Sequence, residues 1–109
     1  MSEQIPEMDV LPLARLLEAG QAPRILDVRD PEEFEWCRLP GTELIPLLRL
    51  PENLAFLDPE EELVLLCHTG ARSLAAARYL MGRGFTRVWS LAGGIQRWSL
   101  VVDPSVSTY

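Results

Sequence analysis

Glu62-Leu63-Val64-Leu65-Leu66-Cys67, followed at once by His68-Thr69-Gly70-Ala71-Arg72-Ser73, is the stretch that decides how this chain folds. Its first six residues form a nearly continuous apolar run of strand length. A run without polar alternation suits a parallel strand covered on both faces. Gly70 breaks the run. Ser73 to Arg83 is rich in Ala and Leu and reads as a helix, with Gly84 as its stop signal. The stretch is therefore a strand that feeds a helix through a short glycine-containing loop.

The same alternation extends in both directions. Upstream, Leu11 to Glu18 reads as a helix with Pro12 in its first turn, Asp9 as N-cap and Gly20 as its end. Arg24 to Val28 reads as a short buried strand. Asp30-Pro31-Glu32-Glu33 is a helix start, with Asp30 capping and the acids at the positive end of the dipole. Leu39-Pro40-Gly41 is a turn, and Thr42 to Ile45 is a short strand ended by Pro46. Leu47 to Leu57 is helical at best, interrupted by Pro51. Downstream, Arg87-Val88-Trp89 is a last strand, and Gly93-Gly94 opens a short helix through Trp98. Strands alternating with helices predict an α/β domain with a mostly parallel sheet. Ligands bind such sheets at the carboxyl ends of the strands, and Cys67 stands at the carboxyl end of the most apolar one.

Composition narrows the function. A chain of 109 residues with 48% apolar content is one domain that can bury a core. Its formal charge of −6 argues against a nucleic-acid partner. No apolar run reaches the ~18 residues of a membrane span. The start, MSEQIPEMDV, lacks a basic region and an apolar stretch, so a cytoplasmic location is expected. Two cysteines, Cys37 and Cys67, without a CxxC pair and with a single His, predict free thiols and no metal site.

The loop after Cys67 carries the chemistry. A thiol nucleophile works as its thiolate, and a helix N-terminus favours that form. The backbone N–H groups of such a loop can turn inward as an anion nest. Gly70 allows the positive φ of a curled loop. Arg72 adds a permanent cation, and Ser73 can cap the helix or donate to a bound anion. Cys67 is the candidate catalytic residue. His68, Thr69, Gly70, Ala71, Arg72 and Ser73 form the candidate anion-binding loop.

Cys67 to Ser73 resembles the active-site loop of rhodanese-domain sulfurtransferases. Leu26-Asp27-Val28-Arg29 resembles that family's early strand. Glu32, Phe34 and Leu39-Pro40-Gly41-Thr42 resemble its following segment. Leu91-Ala92-Gly93-Gly94-Ile95 with Trp98 resembles its glycine-pair ending. The resemblance covers about residues 7 to 100. Residues 101–109 form a tail in which Val102-Asp103-Pro104-Ser105 and Tyr109 resemble the tails of small stand-alone members and of some domains fused to sulfur-carrier activating enzymes. It implies a single rhodanese-like domain with a five-stranded, mostly parallel sheet and helices on both faces. It also implies two-step sulfur transfer. Cys67 takes sulfane sulfur from thiosulfate or a persulfide, and cyanide, a thiol or a protein acceptor removes it. No cofactor is needed. Two alternatives stay open. One is the phosphatase and arsenate-reductase group, whose loop has five residues between Cys and Arg where this chain has four. The other is a non-catalytic interaction module on the same fold.

Some residues depart from the family or play a lesser part. Cys37 and Arg38 replace the usual Gly-His. Cys37 reads as a packing thiol, with a relay to Cys67 as the alternative. Arg38 is a candidate supporting cation. Asp27 and Arg29 read as an ion pair that shapes the pocket floor. Trp36, Trp89 and Trp98 are expected in the core or at its edge.

Overall fold

In the computed structural model, which describes residues 4–106, the central apolar run becomes a strand, Leu63–Leu66, buried at all four positions. In chain order the elements are β1 (Glu7–Met8), α1 (Val10–Glu18), β2 (Arg24–Asp27), α2 (Pro31–Trp36) and β3 (Thr42–Leu44). A helical stretch follows: a 3-10 turn, α3 (Leu50–Asn53) and a second 3-10 turn. Then come β4 (Leu63–Leu66), α4 (Ala71–Met81), β5 (Val88–Leu91) and α5 (Gly94–Val101).

The five strands form one sheet in the order β1-β5-β4-β2-β3, with every pairing parallel. β4 lies at its centre, as its unbroken apolar sequence requires. Alternation along β4 divides the core in two. Leu63 and Leu65 join Ala76, Ala77 and Leu80 of α4 in one apolar cluster. Val64 and Leu66 join Val10 and Leu13 of α1 and Ile95 and Trp98 of α5 in the other. The strand is thus covered on both faces by helices.

Several boundaries differ from the sequence reading. β1 was not foreseen: two residues hold no periodicity, and only their pairing with Ser90 and Leu91 makes them a strand. α4 starts at Ala71, so Ser73 lies inside the helix and not at its cap. α5 runs on to Val101, three residues past Trp98. Pro51 does not break the 47–57 segment, because it occupies the first turn of α3, where a missing N–H costs nothing. Trp36 is 69% exposed, against the expectation of a core position, whereas Trp98 is buried. Met1 to Glu3 and the tail's Tyr109 lie outside the described residues.

Asp9 ties α1 to α5. Its carboxylate accepts from Val10 N–H at 2.8 Å and from Arg97 Nε at 2.8 Å. The Arg97 hydrogen bond, and then that of Val10, hold the Asp9 carboxyl below its ordinary value of 3.8. A carboxyl depressed in the fold favours the folded state above its unfolded value and stops doing so as pH falls through its folded value. Asp9→Asn is therefore expected to lower Tm slightly at pH 7 and at pH 5. The gap to wild type should close below pH 3.8. Parallel thermal melts across that range check this.

Candidate active site

Cys67 follows β4 and continues its alternation. It falls in the α4 cluster with Leu63 and Leu65, and its side chain is only 1% exposed. The sulfur sits beneath the N-terminus of α4. Gly70 N–H donates to Sγ at 3.1 Å and Ser73 N–H donates at 3.3 Å. The Ser73 hydroxyl oxygen lies 3.5 Å from Sγ. Gly70 precedes α4 with φ +113°, a left-handed conformation that side chains resist, and this curls the loop back over the sulfur. Two aligned N–H donors at the positive end of an eleven-residue helix can hold negative charge on sulfur.

The loop is seated from its other side by α5. Ile95 N–H donates to the Cys67 carbonyl at 2.9 Å, and Gln96 N–H donates to the His68 carbonyl at 3.1 Å. The free amides at the start of α5 thus satisfy the carbonyls at the end of β4. This close approach requires glycine at position 94. A Cβ there would stand 2.4 Å from the Cys67 carbonyl oxygen and 2.5 Å from that of His68.

The other loop residues divide. His68 is half-buried, while Thr69 and Ala71 are exposed. Arg72, the expected permanent cation, is paired. Its guanidinium meets the Glu33 carboxylate in a fork, with Nη1–Oε1 at 2.5 Å and Nη2–Oε2 at 2.8 Å. Glu33 Oε1 also accepts from Asp30 N–H at 3.0 Å, as in a capping box. Through Glu33, then, the start of α2 is joined to the start of α4. Sequence reading saw Glu33 only as a helix-start acid, since nothing local reveals a partner 39 residues away.

Asp27 and Arg29 form the expected ion pair, and both are fully buried. Arg29 Nε donates to Asp27 Oδ1 at 2.9 Å and Nη2 to Oδ2 at 2.7 Å. Nη2 also donates to the Cys37 carbonyl at 2.6 Å. The pair therefore braces the chain after α2 against the end of β2. Arg38 is not drawn into this group. It is exposed, and its guanidinium lies over the Phe34 ring at 4.6 Å from the centroid.

Cys37 belongs to the apolar cluster of α1 and α5, whereas Cys67 belongs to that of α4, so the two thiols pack with opposite halves of the core. Both are free. This packing favours the reading of Cys37 as a packing thiol over a relay. Cys37→Ala is expected to keep sulfur loading of Cys67 within about twofold of wild type, because only a small packing group is lost. Mass analysis of the loaded protein checks this, and a collapse of loading would make Cys37 a relay.

Beside the loop, at the carboxyl ends of β2 and β3, an open groove of about 530 Å³ is lined by residues that include Val28, Pro31, Pro46, Leu47, Arg49 and Arg72. Its lining is mostly apolar, with Asp30 and the guanidinium groups of Arg49 and Arg72, which pair with Glu52 and Glu33, as its charged members. Ligands of parallel sheets bind at this edge. Among the described residues no helix is long and apolar enough to cross a membrane.

Comparison with known proteins agrees with this fold. The model of the rhodanese-like domain family matches residues 10–100. The rhodanese-like/PpiC domain-containing protein 12 of Arabidopsis thaliana is 41% identical over 90 residues, covering 79% of this chain and 30% of that protein. A sulfurtransferase of Allochromatium vinosum is 30% identical over 95 residues, covering 87% of this chain and 89% of that one. The crystal structure of a rhodanese-like domain protein from Staphylococcus aureus superposes with a TM-score of 0.83 at 26% identity, covering 96% of this chain and 99% of that one. Several longer curated relatives are matched over only 24% to 53% of their length. A family match that spans both core clusters and the Cys67 loop, with a near full-length relative on the same scaffold, establishes that this chain belongs to the rhodanese-like domain family.

Proposed function

We propose that the chain is a sulfurtransferase that carries sulfane sulfur as a persulfide on Cys67. One observation carries this reading: the Cys67 sulfur lies under the N-terminus of α4 with the N–H groups of Gly70 and Ser73 aimed at it. The donor is thiosulfate or a persulfide, and the acceptor is cyanide, a thiol or a protein thiol. The reaction suits a reducing cytoplasm, in which Cys67 stays a free thiol.

Cys67 thiolate attacks the outer sulfur of thiosulfate. The new Sγ–S bond forms as the S–S bond of thiosulfate breaks, and sulfite leaves with the electron pair. The persulfide anion then rests on Cys67. A nucleophile such as cyanide attacks its outer sulfur, thiocyanate forms, and the electron pair of the broken S–S bond returns to Sγ as thiolate. This is covalent catalysis in two displacements. The loop amides stabilise anionic sulfur without reorganising, which is oxyanion-hole logic applied to sulfur. Gly70 and Ser73 supply those amides. His68, Thr69, Ala71 and Arg72 complete the loop, and Asp27 and Arg29 hold the strand end beneath it. The groove that Arg72 lines lies at the same edge of the sheet as Cys67 and is where donor and acceptor would gather.

With thiosulfate and cyanide, the purified protein is expected to release thiocyanate over many turnovers and to leave an aryl phosphate intact. The four-residue loop supports the second half, since it offers a phosphoryl group fewer amides than a five-residue one. Hydrolysis of the ester without thiocyanate release would replace this reading with a phosphatase.

A further inference from the structure

We propose that Ser90 is a positioning residue for the Cys67 sulfur, acting through the Ser73 hydroxyl. The inference rests on the reading of Cys67 as the sulfur carrier, and it concerns a residue outside the loop. Ser90 lies on β5, is 1% exposed, and its Oγ is 2.7 Å from Ser73 Oγ. An interior position on a central strand flanked by Trp89 and Leu91 has no need of a hydroxyl for packing. A buried hydroxyl persists where it has a partner to serve.

Counting protons favours one direction for the contact. A serine hydroxyl has one proton and two lone pairs. Ser73 Oγ lies 3.0 Å from the Gly70 carbonyl oxygen, which can only accept, so the Ser73 proton is spent there. Either hydroxyl can donate across the 2.7 Å contact, and while the Ser73 proton points to Gly70 or to sulfur the donor is Ser90. When Cys67 is a thiol, its S–H can donate to Ser73 Oγ across the 3.5 Å separation. When the sulfur is anionic, the Ser73 proton can swing from the Gly70 carbonyl to Sγ. Ser90 keeps donating in both states. Its donation withdraws charge from Ser73 Oγ and strengthens the hydrogen bond that Ser73 gives to sulfur, because bonds in a chain polarise one another. Both serines are buried, so little water can take over the task of Ser90. The arrangement is a third contact on the sulfur, added to the two amides, and it is set from the sheet and not from the loop.

The test is a mutant cycle on the chemical reactivity of Cys67, in a Cys37→Ala background so that one thiol reports. Alkylation of Cys67 by iodoacetamide is followed by mass at fixed pH in wild type, Ser90→Ala, Ser73→Ala and the double variant, with Tm recorded for each. Ser90→Ala is expected to slow alkylation about threefold, the scale of one buried hydrogen bond weakened but not broken. Ser73→Ala should slow it at least as much, and adding Ser90→Ala to Ser73→Ala should change nothing more. Two independent effects that multiply, or an unchanged rate in Ser90→Ala, would overturn the inference and leave Ser90 a packing residue. This readout needs no sulfur donor. Failure of wild type to release thiocyanate would count against the proposed function alone, while the cycle would still decide the role of Ser90.

Discussion

Cys67→Ser is expected to abolish thiocyanate release, with a loss on the order of 10³-fold or more, while Tm stays close to that of wild type. The two parts of this expectation have separate causes. Serine is close to cysteine in shape, and its oxygen can accept from the same Gly70 and Ser73 N–H groups that meet Sγ. The core around position 67 therefore loses little. The chemistry does not survive, because an alkoxide is scarcely populated near neutral pH and oxygen forms no stable counterpart of a persulfide. Comparing turnover and thermal melts of the two proteins checks both parts. Undiminished thiocyanate release by Cys67→Ser would remove Cys67 from the mechanism.

Gly94→Ala is expected to be strongly damaging although it leaves every polar side chain in place. The new Cβ would stand 2.4 Å from the Cys67 carbonyl oxygen, and real Cβ contacts essentially never fall below 3.0 Å. The obstacle is backbone on both sides, so no flexible side chain can give way. The residue also has φ +58°, which adds the strain of a left-handed alanine. Overpacking and left-handed strain each cost about 1–3 kcal/mol. The sum is a large part of the stability of a small domain. Relief requires α5 to lift from the loop, and that gives up the Ile95 and Gln96 hydrogen bonds to Cys67 and His68. The folded fraction should load sulfur at least about tenfold more slowly, since a shift of about 1 Å at a reacting centre has effects of that size or greater. Melts and loading rates measured together test it. A wild-type Tm and rate would show that the loop is not seated on α5.

The parts of this structure that were legible in the sequence are those governed by local pattern. Leu63 to Leu66 could be read as a central parallel strand because both of its faces are apolar. Asp9, Asp30 and Pro31 mark their helix starts by chemistry that acts within one turn. The Cys67 loop is legible for the same reason: strand, glycine and helix follow one another in the chain. What was hidden is non-local. β1 exists only through its pairing with β5. The partner of Arg72 is Glu33, on another helix, so a residue read as a cation of the loop also links α2 to α4. Gly93-Gly94 was visible as a helix start, but a glycine pair does not reveal whose carbonyls it lies against. Ser90 gave no signal, because a single serine in a strand-like run is usually a surface or edge residue. Trp36 shows the converse error: aromatic bulk suggests the core, but its place at the end of a six-residue helix turns it outward.

The central claim is that Cys67 holds the transferred sulfur, and the most direct measurement is the mass of the protein after exposure to thiosulfate and removal of excess donor. The expected result is a gain of one sulfur atom, about 32 Da, located on the peptide that contains Cys67 and removed by cyanide or a reducing thiol, as befits a persulfide. Absence of that gain from a folded protein with a free Cys67, or its appearance on Cys37 instead, would contradict the account.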